Sequence, residues 1–440
     1  MEETTARGFA ELREALASRT GTRPEDWFPV FKARYGMQVA FDAVRSVRGD
    51  GSVLTQLFTC CTAVDPIVVS GLRPRYADVG ADTMGIDVAK VESMPLGSDE
   101  QVHAMVMQHT FGAIDEDSSR RLAALAGQMG ALLVEDCAHC VTRMARDAAG
   151  WPLADISVHS FGVEKMLPTR FGGAIWVNPR LRERDAALDA ETRGRLAALE
   201  QPSHHLDTVT KLYINENRVL SRLGGFGGRM RERLTASGWY EPPISDKERR
   251  GALEYEPMTV TPWIAQQAVA GISALDANEN GRRAVVTMYR EAFAGVDGLD
   301  VPAVAMDGEA QPLVGVPQTC QPLLRFPLFA RDTEAAERII AAARQAGGYA
   351  ERWYRPELFP GVTDPAAYGL DTLDRSTVPV SDRLVSTALC LPTELGEAAV
   401  RRVIDAVRAA VCPPARLTAL WRAAGGQTSH PLHRAGNLTS

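Results

Sequence analysis

The sequence lacks the features that mark secreted, membrane-spanning or nucleic-acid-binding proteins. No stretch approaches the about 18 uninterrupted apolar residues of a membrane span, and residues 1–30 carry charges where a secretory signal would have an apolar core. The cysteines, at positions 60, 61, 137, 140, 320, 390 and 412, are odd in number and show no disulfide framework. The net charge of −7 gives no general attraction to nucleic acid or anionic membranes. We therefore expect a cytoplasmic, reduced protein that binds neither.

Lysine is also scarce, so each lysine can be considered separately. The basic residues comprise 43 arginines and only five lysines, which are Lys32, Lys90, Lys165, Lys211 and Lys247. The remaining composition, with 45% hydrophobic and 23% charged residues, is that of an ordinary globular protein. A chain of 440 residues is too long for one small core, so it indicates more than one domain.

Short apolar runs alternate with helical segments from residue 38 to residue 178. Strands are predicted at 53–58, 73–79, 103–112, 131–136, 155–161 and 172–178, and helices at 9–18, 38–47, 62–71 and 119–130. Strands separated by helices of this length predict an α/β fold with a mostly parallel sheet that helices cover on both faces. Ligands of such sheets bind at the carboxyl ends of the strands.

The rest of the chain departs from this alternation. Residues 181–257 are highly charged and largely helical, and 264–293 reads as one long amphipathic helix. It leads into a smaller α+β domain with strands near 322–329 and 387–391 and a helix at 397–411. We therefore divide the chain into an N-terminal helical segment, a large domain containing the 181–257 insertion, a linking helix with the small domain, and a loosely held or disordered tail. Their bounds are 1–30, 31–263, 264–412 and 413–440.

The most informative residues lie between 134 and 178. Asp136 ends a buried strand, where an acid is costly to bury without a charged partner. Ser160 and Lys165 follow another strand, ahead of the turn RFGG at 170–173. Pyridoxal phosphate requires this set: a lysine for the imine, a carboxylate for the pyridine nitrogen, and hydroxyl and N–H groups for the phosphate. Considered singly, each residue more often has an ordinary role: Lys165 would be a solvated surface lysine, and Asp136 would cap a local turn.

The joint pattern resembles the sugar aminotransferase family named for DegT, DnrJ and StrS. Family members carry E-D-x-A-H/Q, then D-I-S-x-x-S-F-x-x-x-K, then a glycine pair before a strand. The matching residues are Glu135-Asp136-Cys137-Ala138-His139, Asp155-Ile156-Ser157, Ser160-Phe161, Lys165 and Gly172-Gly173. The segments 58–79, 264–276 and 389–408 resemble flanking segments of the family, and 1–30, 181–257 and the tail do not.

The resemblance implies the fold, the cofactor and the site. It implies an aspartate-aminotransferase-like fold (fold type I) that holds pyridoxal 5'-phosphate. Lys165 would form the Schiff base and shuttle protons, Asp136 would pair with the pyridine nitrogen, and His139 would lie near the ring hydroxyl. Ser160 would contact the phosphate. Family members act as homodimers with shared sites, and they commonly transfer an amino group from an amino acid donor to a keto group on a nucleotide-linked sugar.

Three departures from the family concern the cofactor cup. The equivalent of the family's S-G-T-A turn is Arg34-Tyr35-Gly36-Met37-Gln38, in which Gly36 is kept and Met37 replaces the phosphate-binding hydroxyl. The loss of one such hydrogen bond costs about 1 kcal/mol unless another group replaces it. The family's N-x-R before the 264–276 helix is absent, and Cys60 takes the position of an aromatic residue that often stacks on the cofactor ring.

Several other signals have both a functional and an ordinary explanation. Five arginines of the insertion could grip an anionic substrate or form a solvated helix face: Arg218, Arg222, Arg229, Arg231 and Arg233. Cys137 and Cys140 have the spacing of a metal or redox pair but no second ligand pair, so we expect no metal. His109 could approach the cofactor or be structural, and Arg325 could meet a substrate carboxylate or be a strand-edge residue.

Three functions are compatible with these residues. The favoured one is an aminotransferase acting on a keto sugar or a secondary-metabolite intermediate, because Lys165 is present where the family's dehydratases have histidine. The altered cradle and the insertion would also suit another pyridoxal-phosphate reaction, such as that of a decarboxylase, lyase or condensing enzyme. The third hypothesis is a non-catalytic regulator that retains the fold.

Overall fold

The computed structural model describes residues 2–93, 101–306 and 320–411, and the following statements refer to those residues. Ten strands are present: β1 (Trp27–Val30), β2 (Ser52–Gln56), β3 (Arg73–Ala77), β4 (Val102–Gln108), β5 (Leu132–Asp136), β6 (Ile156–Ser160), β7 (Gly173–Val177), β8 (Leu299–Asp300), β9 (Arg325–Ala330) and β10 (Ala388–Pro392). The helices are α1 (Glu2–Thr20), α2 (Ala33–Arg48), α3 (Cys61–Val69), α4 (Val88–Glu92), α5 (Glu116–Gln128), α6 (Leu181–Arg184), α7 (Ala186–Ala197), α8 (His204–Arg222), α9 (Gly224–Ala236), α10 (Pro262–Ser273), α11 (Leu275–Phe293), α12 (Ala303–Met306), α13 (Thr333–Gln345), α14 (Pro379–Thr387) and α15 (Glu397–Val411).

Seven strands form the large sheet, in the order β1-β7-β6-β5-β4-β2-β3. The pairs from β6 through β5, β4 and β2 to β3 are parallel, whereas β7 runs antiparallel to both of its neighbours. Strands β5, β6 and β7 are buried at every position, as expected for a sheet with helices on both faces. The predicted mostly parallel sheet is therefore confirmed.

Alternate residues of each strand point to opposite faces of this sheet and fill separate apolar clusters. Leu132 and Val134 of β5 pack in a cluster with residues of α2, α3 and α7. Leu133, between them, packs with α4 and α5. Both faces are therefore covered, and polar groups at the strand ends are the ones left to form a site.

The second sheet is small and antiparallel, in the order β10-β9-β8. Helix α13 packs against β9 and β10, and it also packs against α15, which coincides with the helix predicted at 397–411. Strands β9 and β10 and helix α15 confirm the elements expected near 322–329, 387–391 and 397–411.

Two sequence expectations for individual elements were wrong. The segment 1–30 is not only helical, because Trp27–Val30 forms β1 at the edge of the large sheet. The single helix expected at 264–293 is divided into α10 and α11 at Ala274, where φ is −93° and ψ is 0°. The division of the chain into domains stays a prediction, and the expected disordered tail lies outside the described residues. No described helix has the length and apolarity needed to cross a membrane.

Candidate active site

Lys165 lies in the turn that follows β6. A Cβ atom on Gly162, at the start of this turn, would lie 3.3 Å from Ser160 Oγ and 4.0 Å from Lys165 Cγ, so the glycine lets the turn pass close to both side chains. The lysine Nζ atom lies 5.6 Å from the centre of the Trp353 ring. Burial lowers the pKa of Lys165, and the neighbouring Cys60 and Asp136 oppose this only in part. The amine is therefore easier to deprotonate than an ordinary lysine.

Asp136 ends β5, the strand beside β6 in the sheet. One carboxylate oxygen accepts the backbone N–H of Ala138 at 2.9 Å, and the residue forms no ion pair within the described part of the chain. Burial raises the pKa of Asp136, whereas the charges of Lys165 and His109 lower it. A buried carboxylate without a bonded cation is costly, and it is suited to receive a cationic group of a ligand.

His139 stacks on two aromatic residues that the sequence analysis did not single out. Its ring lies 5.4 Å from that of Trp353 at an interplanar angle of 14°, and 6.2 Å from that of Tyr354 at 6°. The N–H of Phe111 donates to His139 Nδ1 at 3.1 Å. Burial, and then the charge of Lys165, hold the pKa of His139 well below its usual range. The imidazole is therefore neutral, with its proton on Nε2.

These groups fit pyridoxal phosphate. The buried Asp136 has no bonded cation and would hold the protonated pyridine nitrogen, and Lys165 offers an amine with a lowered pKa. Cys60, at the N-cap of α3, is within the electrostatic field of Lys165. A hydrogen bond with Cys61 lowers the pKa of Cys60 to about 6, and Thr62 and Lys165 add to this shift. The structure therefore brings Lys165, Asp136, His139 and Cys60 together, as the sequence analysis expected.

The glycine pair that precedes β7 brings this strand against the first turn of α2. Gly172 has φ +97°, a conformation that favours glycine, and pairs with Lys32. A Cβ atom on Gly173 would lie 2.6 Å from the carbonyl oxygen of His159 and 3.0 Å from the nitrogen of Ala33. The start of α2 therefore lies directly beside the strands that lead into and out of the Lys165 turn.

Met37 and Gln38 do not lie in the turn that opens the helix, although the resemblance to the family suggested that they would. Helix α2 begins at Ala33, so Gly36 is its fourth residue and Met37 and Gln38 follow in the next turn. Met37 is buried in the apolar cluster beneath α2, and a Cβ atom on Gly36 would contact Ile175 and Val30. Any contact that this helix makes with the cofactor phosphate would therefore come from the residues that open it, because the first backbone N–H groups of a helix have no intrahelical acceptor.

Two buried ion pairs at the opening of α2 were not predicted. Lys32 pairs with Glu241, and Arg34 pairs with Glu248. The partners lie more than 200 residues apart in sequence, and both acids belong to a stretch that reads only as charged. Burial in the folded chain is what distinguishes them, so the sequence contains no signal that could have found them.

His109, Glu135 and Cys137 have ligand atoms within 4.8 Å of one another, a set that could hold a metal ion. Glu135 is fully hydrogen-bonded, however. Its oxygens accept from His109 Nε2 at 2.8 Å, from the Ala145 N–H at 2.6 Å and from the Ser157 hydroxyl. Burial opposes protonation of His109, but the bond to Glu135 raises the pKa of the ring. We interpret this cluster as structural support beneath Asp136.

The arginines considered in the sequence analysis differ in their surroundings. Arg325 is buried, lies 5.6 Å from the centre of the Trp353 ring and 3.8 Å from Glu164. Arg231 donates to Asn217 at 3.0 Å and lies over the ring of Tyr240. The other four arginines of the insertion are exposed, as on a solvated helix face: Arg218, Arg222, Arg229 and Arg233.

Residues 31–239 match the DegT/DnrJ/EryC1/StrS aminotransferase family. The chain is 25% identical over 176 residues to the GDP-perosamine synthase of Vibrio cholerae, which covers 40% of this chain and 43% of the relative. It is 24% identical over 258 residues to the spore coat polysaccharide biosynthesis protein SpsC of Bacillus subtilis, with coverages of 58% and 54%. The chain therefore spans about half the length of these relatives.

The fold is that of the pyridoxal-phosphate-dependent aminotransferases of fold type I. The crystal structure of NtdA from Bacillus subtilis, which contains bound PMP, has a TM-score of 0.62 with this chain at 13% identity. The alignment covers 92% of this chain and 77% of that one. The similarity extends well beyond residues 31–239, so it includes the small sheet and its helices.

Proposed function

We propose that the protein is a pyridoxal-phosphate-dependent aminotransferase. It would transfer an amino group from an amino acid donor to a keto substrate, which we propose to be a nucleotide-linked sugar or a related intermediate of secondary metabolism. The observation that carries this proposal is the arrangement of Lys165 and Asp136. A buried amine with a lowered pKa lies in the field of a buried carboxylate without a bonded cation, within the segment that matches the aminotransferase family.

Each residue has a role that follows from its surroundings. When bound, the cofactor supplies an electron sink for the carbon that loses a proton. Lys165 Nζ would attach to the cofactor covalently and then carry a proton at the reacting carbon, which its lowered pKa favours. Asp136 would keep the pyridine nitrogen protonated. Ser160, at the carboxyl end of β6 beside this turn, would contribute its hydroxyl to the phosphate.

His139 would act as a rigid neutral donor. Its Nδ1 atom already accepts the Phe111 N–H, so the proton on Nε2 is available to an oxygen such as the ring hydroxyl. The stacking on Trp353 and Tyr354 fixes the plane of the imidazole. A neutral histidine adds no positive charge beside Lys165, so the lowered pKa of the lysine amine comes from its burial and not from this ring.

The sugar substrate is supported by the relatives. One is named a GDP-perosamine synthase and the other a spore coat polysaccharide biosynthesis protein. We also propose that the protein acts as a homodimer in the cytoplasm. The described cysteines are all free thiols, as expected in a reducing compartment: Cys60, Cys61, Cys137, Cys140, Cys320 and Cys390.

The absorption spectrum of the purified protein tests the proposal. With pyridoxal phosphate added, the wild type should show a band near the visible edge, and the Lys165→Ala variant should not. Lys90→Ala is the matched control, because this half-exposed lysine pairs with Asp78 away from the site, and it should keep the band. Addition of glutamate should then convert the band to that of the pyridoxamine form.

Each alternative function has its own outcome in this experiment. A Lys165-dependent band that no amino acid donor converts would contradict transamination and favour another pyridoxal-phosphate reaction. The absence of a band in the wild type at saturating cofactor would contradict both enzymatic functions and leave the non-catalytic regulator.

A further inference from the structure

The first turn of α2 contains an arginine, Arg34. The S-G-T-A turn of the family opens this helix with small and hydroxyl residues, whereas here α2 opens on Lys32, Ala33, Arg34 and Tyr35, ahead of Gly36 and Met37. None of these four can donate a short-chain hydroxyl to a phosphate. The backbone N–H of Tyr35 donates to the Lys32 carbonyl oxygen at 3.0 Å, whereas the first N–H groups of a helix have no intrahelical acceptor and favour an anion.

Arg34 is the second residue of α2. The nitrogen of Ala33, just before it, would lie 3.0 Å from a Cβ atom on Gly173, which begins the strand that follows the Lys165 turn. The charge of the Arg34 guanidinium also interacts with Cys60, at the N-cap of α3, and with Lys165. Helices α2 and α3 therefore both begin near this cation, and the glycine pair brings the Lys165 turn beside it. An anion bound between Lys165 and the opening of α2 would meet Arg34.

The Arg34 guanidinium is held in place by two partners, but not all of its N–H donors are used. One terminal nitrogen pairs with Glu248, and the other donates to the carbonyl oxygen of Pro243 at 2.9 Å. A guanidinium carries five N–H donors, so donors remain for a further acceptor. Glu248 is itself fixed, because it accepts the N–H of Ser245 at 2.7 Å and is fully buried.

A second unsatisfied donor lies beside this pair. The Tyr35 side chain is completely buried, yet its hydroxyl has no hydrogen-bond partner. Tyr35 adjoins Arg34 in the first turn of α2, and burial together with the charge of Glu248 raises the pKa of this hydroxyl. Buried hydroxyls without a partner are rare in folded proteins, and a bound ligand is one explanation.

We propose that Arg34 binds the phosphate group of pyridoxal phosphate, in place of the hydroxyl that the family uses, and that Glu248 is the positioning residue for its guanidinium. This inference rests on the proposed function. It explains how the chain retains a phosphate site although Met37 is buried in the core. A charge-assisted, forked contact is also stronger than the neutral hydrogen bond that it replaces.

The test compares pyridoxal phosphate with pyridoxal, which has the same aldehyde and ring but no phosphate. Both are titrated into the cofactor-free protein, and the Lys165-dependent absorption band reports binding. In Arg34→Met, the affinity for pyridoxal phosphate should fall about 10- to 100-fold, and the affinity for pyridoxal should change less than about threefold. Inorganic phosphate should compete with pyridoxal phosphate in the wild type and much less in Arg34→Met.

Two further variants separate binding from folding. Arg193→Met is the matched control, because Arg193 forms a partly buried ion pair with Asp26 at 2.9 Å, and it should leave the preference for the phosphorylated ligand unchanged. Glu248→Gln should reduce the preference for the phosphorylated ligand less than Arg34→Met does. Arg34→Lys should keep part of the preference that Arg34→Met loses.

Three results would overturn the proposal. If Arg34→Met loses affinity equally for pyridoxal phosphate and for pyridoxal, Arg34 has a structural role in holding the segment around Glu248 and does not bind the phosphate. If Arg34→Met keeps its affinity for both ligands, another group binds the phosphate. If the wild type forms no Lys165-dependent band with either ligand, the proposed function fails and this inference fails with it.

Discussion

At the scale of single residues, the buried aspartates Asp78 and Asp136 differ in whether their charge is compensated within the fold. Asp78 accepts hydrogen bonds from the Ser381 N–H at 2.7 Å and the Val380 N–H at 3.1 Å and pairs with Lys90. Burial acts to raise its pKa, but Lys90 and Ser381 outweigh this and the pKa of Asp78 is lowered. Among the described residues, the Asp136 carboxylate accepts a hydrogen bond from the N–H of Ala138 alone, and burial raises the pKa of Asp136. The charge of Asp136 therefore destabilises the cofactor-free fold.

We predict that Asp136→Asn stabilises the cofactor-free protein by about 1 kcal/mol at neutral pH and abolishes transamination. The pKa of Asp136 is higher in the folded than in the unfolded chain. The charged side chain therefore lowers the free energy of unfolding at pH values above the folded pKa, and this cost disappears as pH falls below the unfolded pKa of about 4. The stability difference between variant and wild type should shrink over that range. Urea denaturation at a series of pH values measures it.

Asp78→Asn is the control for this prediction, and its effect should have the opposite sign. It should destabilise the protein by about 1–3 kcal/mol at neutral pH, because it removes a paired buried charge. A loss of stability in Asp136→Asn similar to that in Asp78→Asn would contradict the argument and indicate that Asp136 has a structural role.

The residues that sequence could predict are those whose neighbours are close in the chain. Asp136 and Lys165 belong to one stretch of 30 residues whose motif resembles the family, and in the structure Asp136 ends β5 and Lys165 follows the neighbouring strand β6. Glu248 and Trp353 reach the site from distant parts of the chain. The contacts that bring them there depend on how the helices and the small sheet pack, which no local pattern specifies.

At the scale of elements, the glycine pair at β7 determines whether α2 can begin beside the sheet. Gly173 is the test position, because both nearest atoms to an added Cβ belong to the backbone of other elements. We predict that Gly173→Ala destabilises the protein by about 2–3 kcal/mol and weakens cofactor binding by displacing the first turn of α2. Thermal unfolding and the cofactor titration measure the two effects.

Gly194→Ala is the matched substitution for comparison. Gly194 lies within α7, and an added Cβ would have no atom within 4 Å. Because alanine favours the helix, this variant should be about 0.5–1 kcal/mol more stable than the wild type. If Gly173→Ala is tolerated as well as Gly194→Ala, strand β7 and helix α2 are not packed as closely as described.

Element boundaries also show what local sequence determines. The end of α5 and the strand after it were predicted because a glycine, Gly130, follows the helix and β5 is apolar up to its final acids, and in the structure Gly130 has a positive φ angle of 64°. Strand β1 was missed because it is only four residues long and contains Pro29. An edge strand can accept a proline, so only its pairing with β7 identifies it.

At the scale of the whole molecule, the described surface of helices α8 and α9 contains an exposed apolar face. Val219 is 56% exposed, Leu223 45% and Phe226 57%. Leu212 is also exposed, and Leu212, Val219 and Leu223 recur at a spacing that places them on one side of α8. Clustered exposed apolar side chains usually mark a protein contact. The 181–257 insertion is therefore where we expect the two copies of the proposed homodimer to meet.

We predict that the combined substitution Val219→Ser, Leu223→Gln and Phe226→Ser raises the dimer dissociation constant at least about 10-fold, because each copy loses apolar area from the contact. Sedimentation velocity over a range of concentrations measures this. Val47→Ser, on a valine of α2 that is exposed outside the insertion, is the control and should dimerise like the wild type. An unchanged dissociation constant in the triple variant would place the interface elsewhere. A wild type that stays monomeric at all concentrations would instead refute the homodimer, and the cofactor site would then have to be complete within one chain.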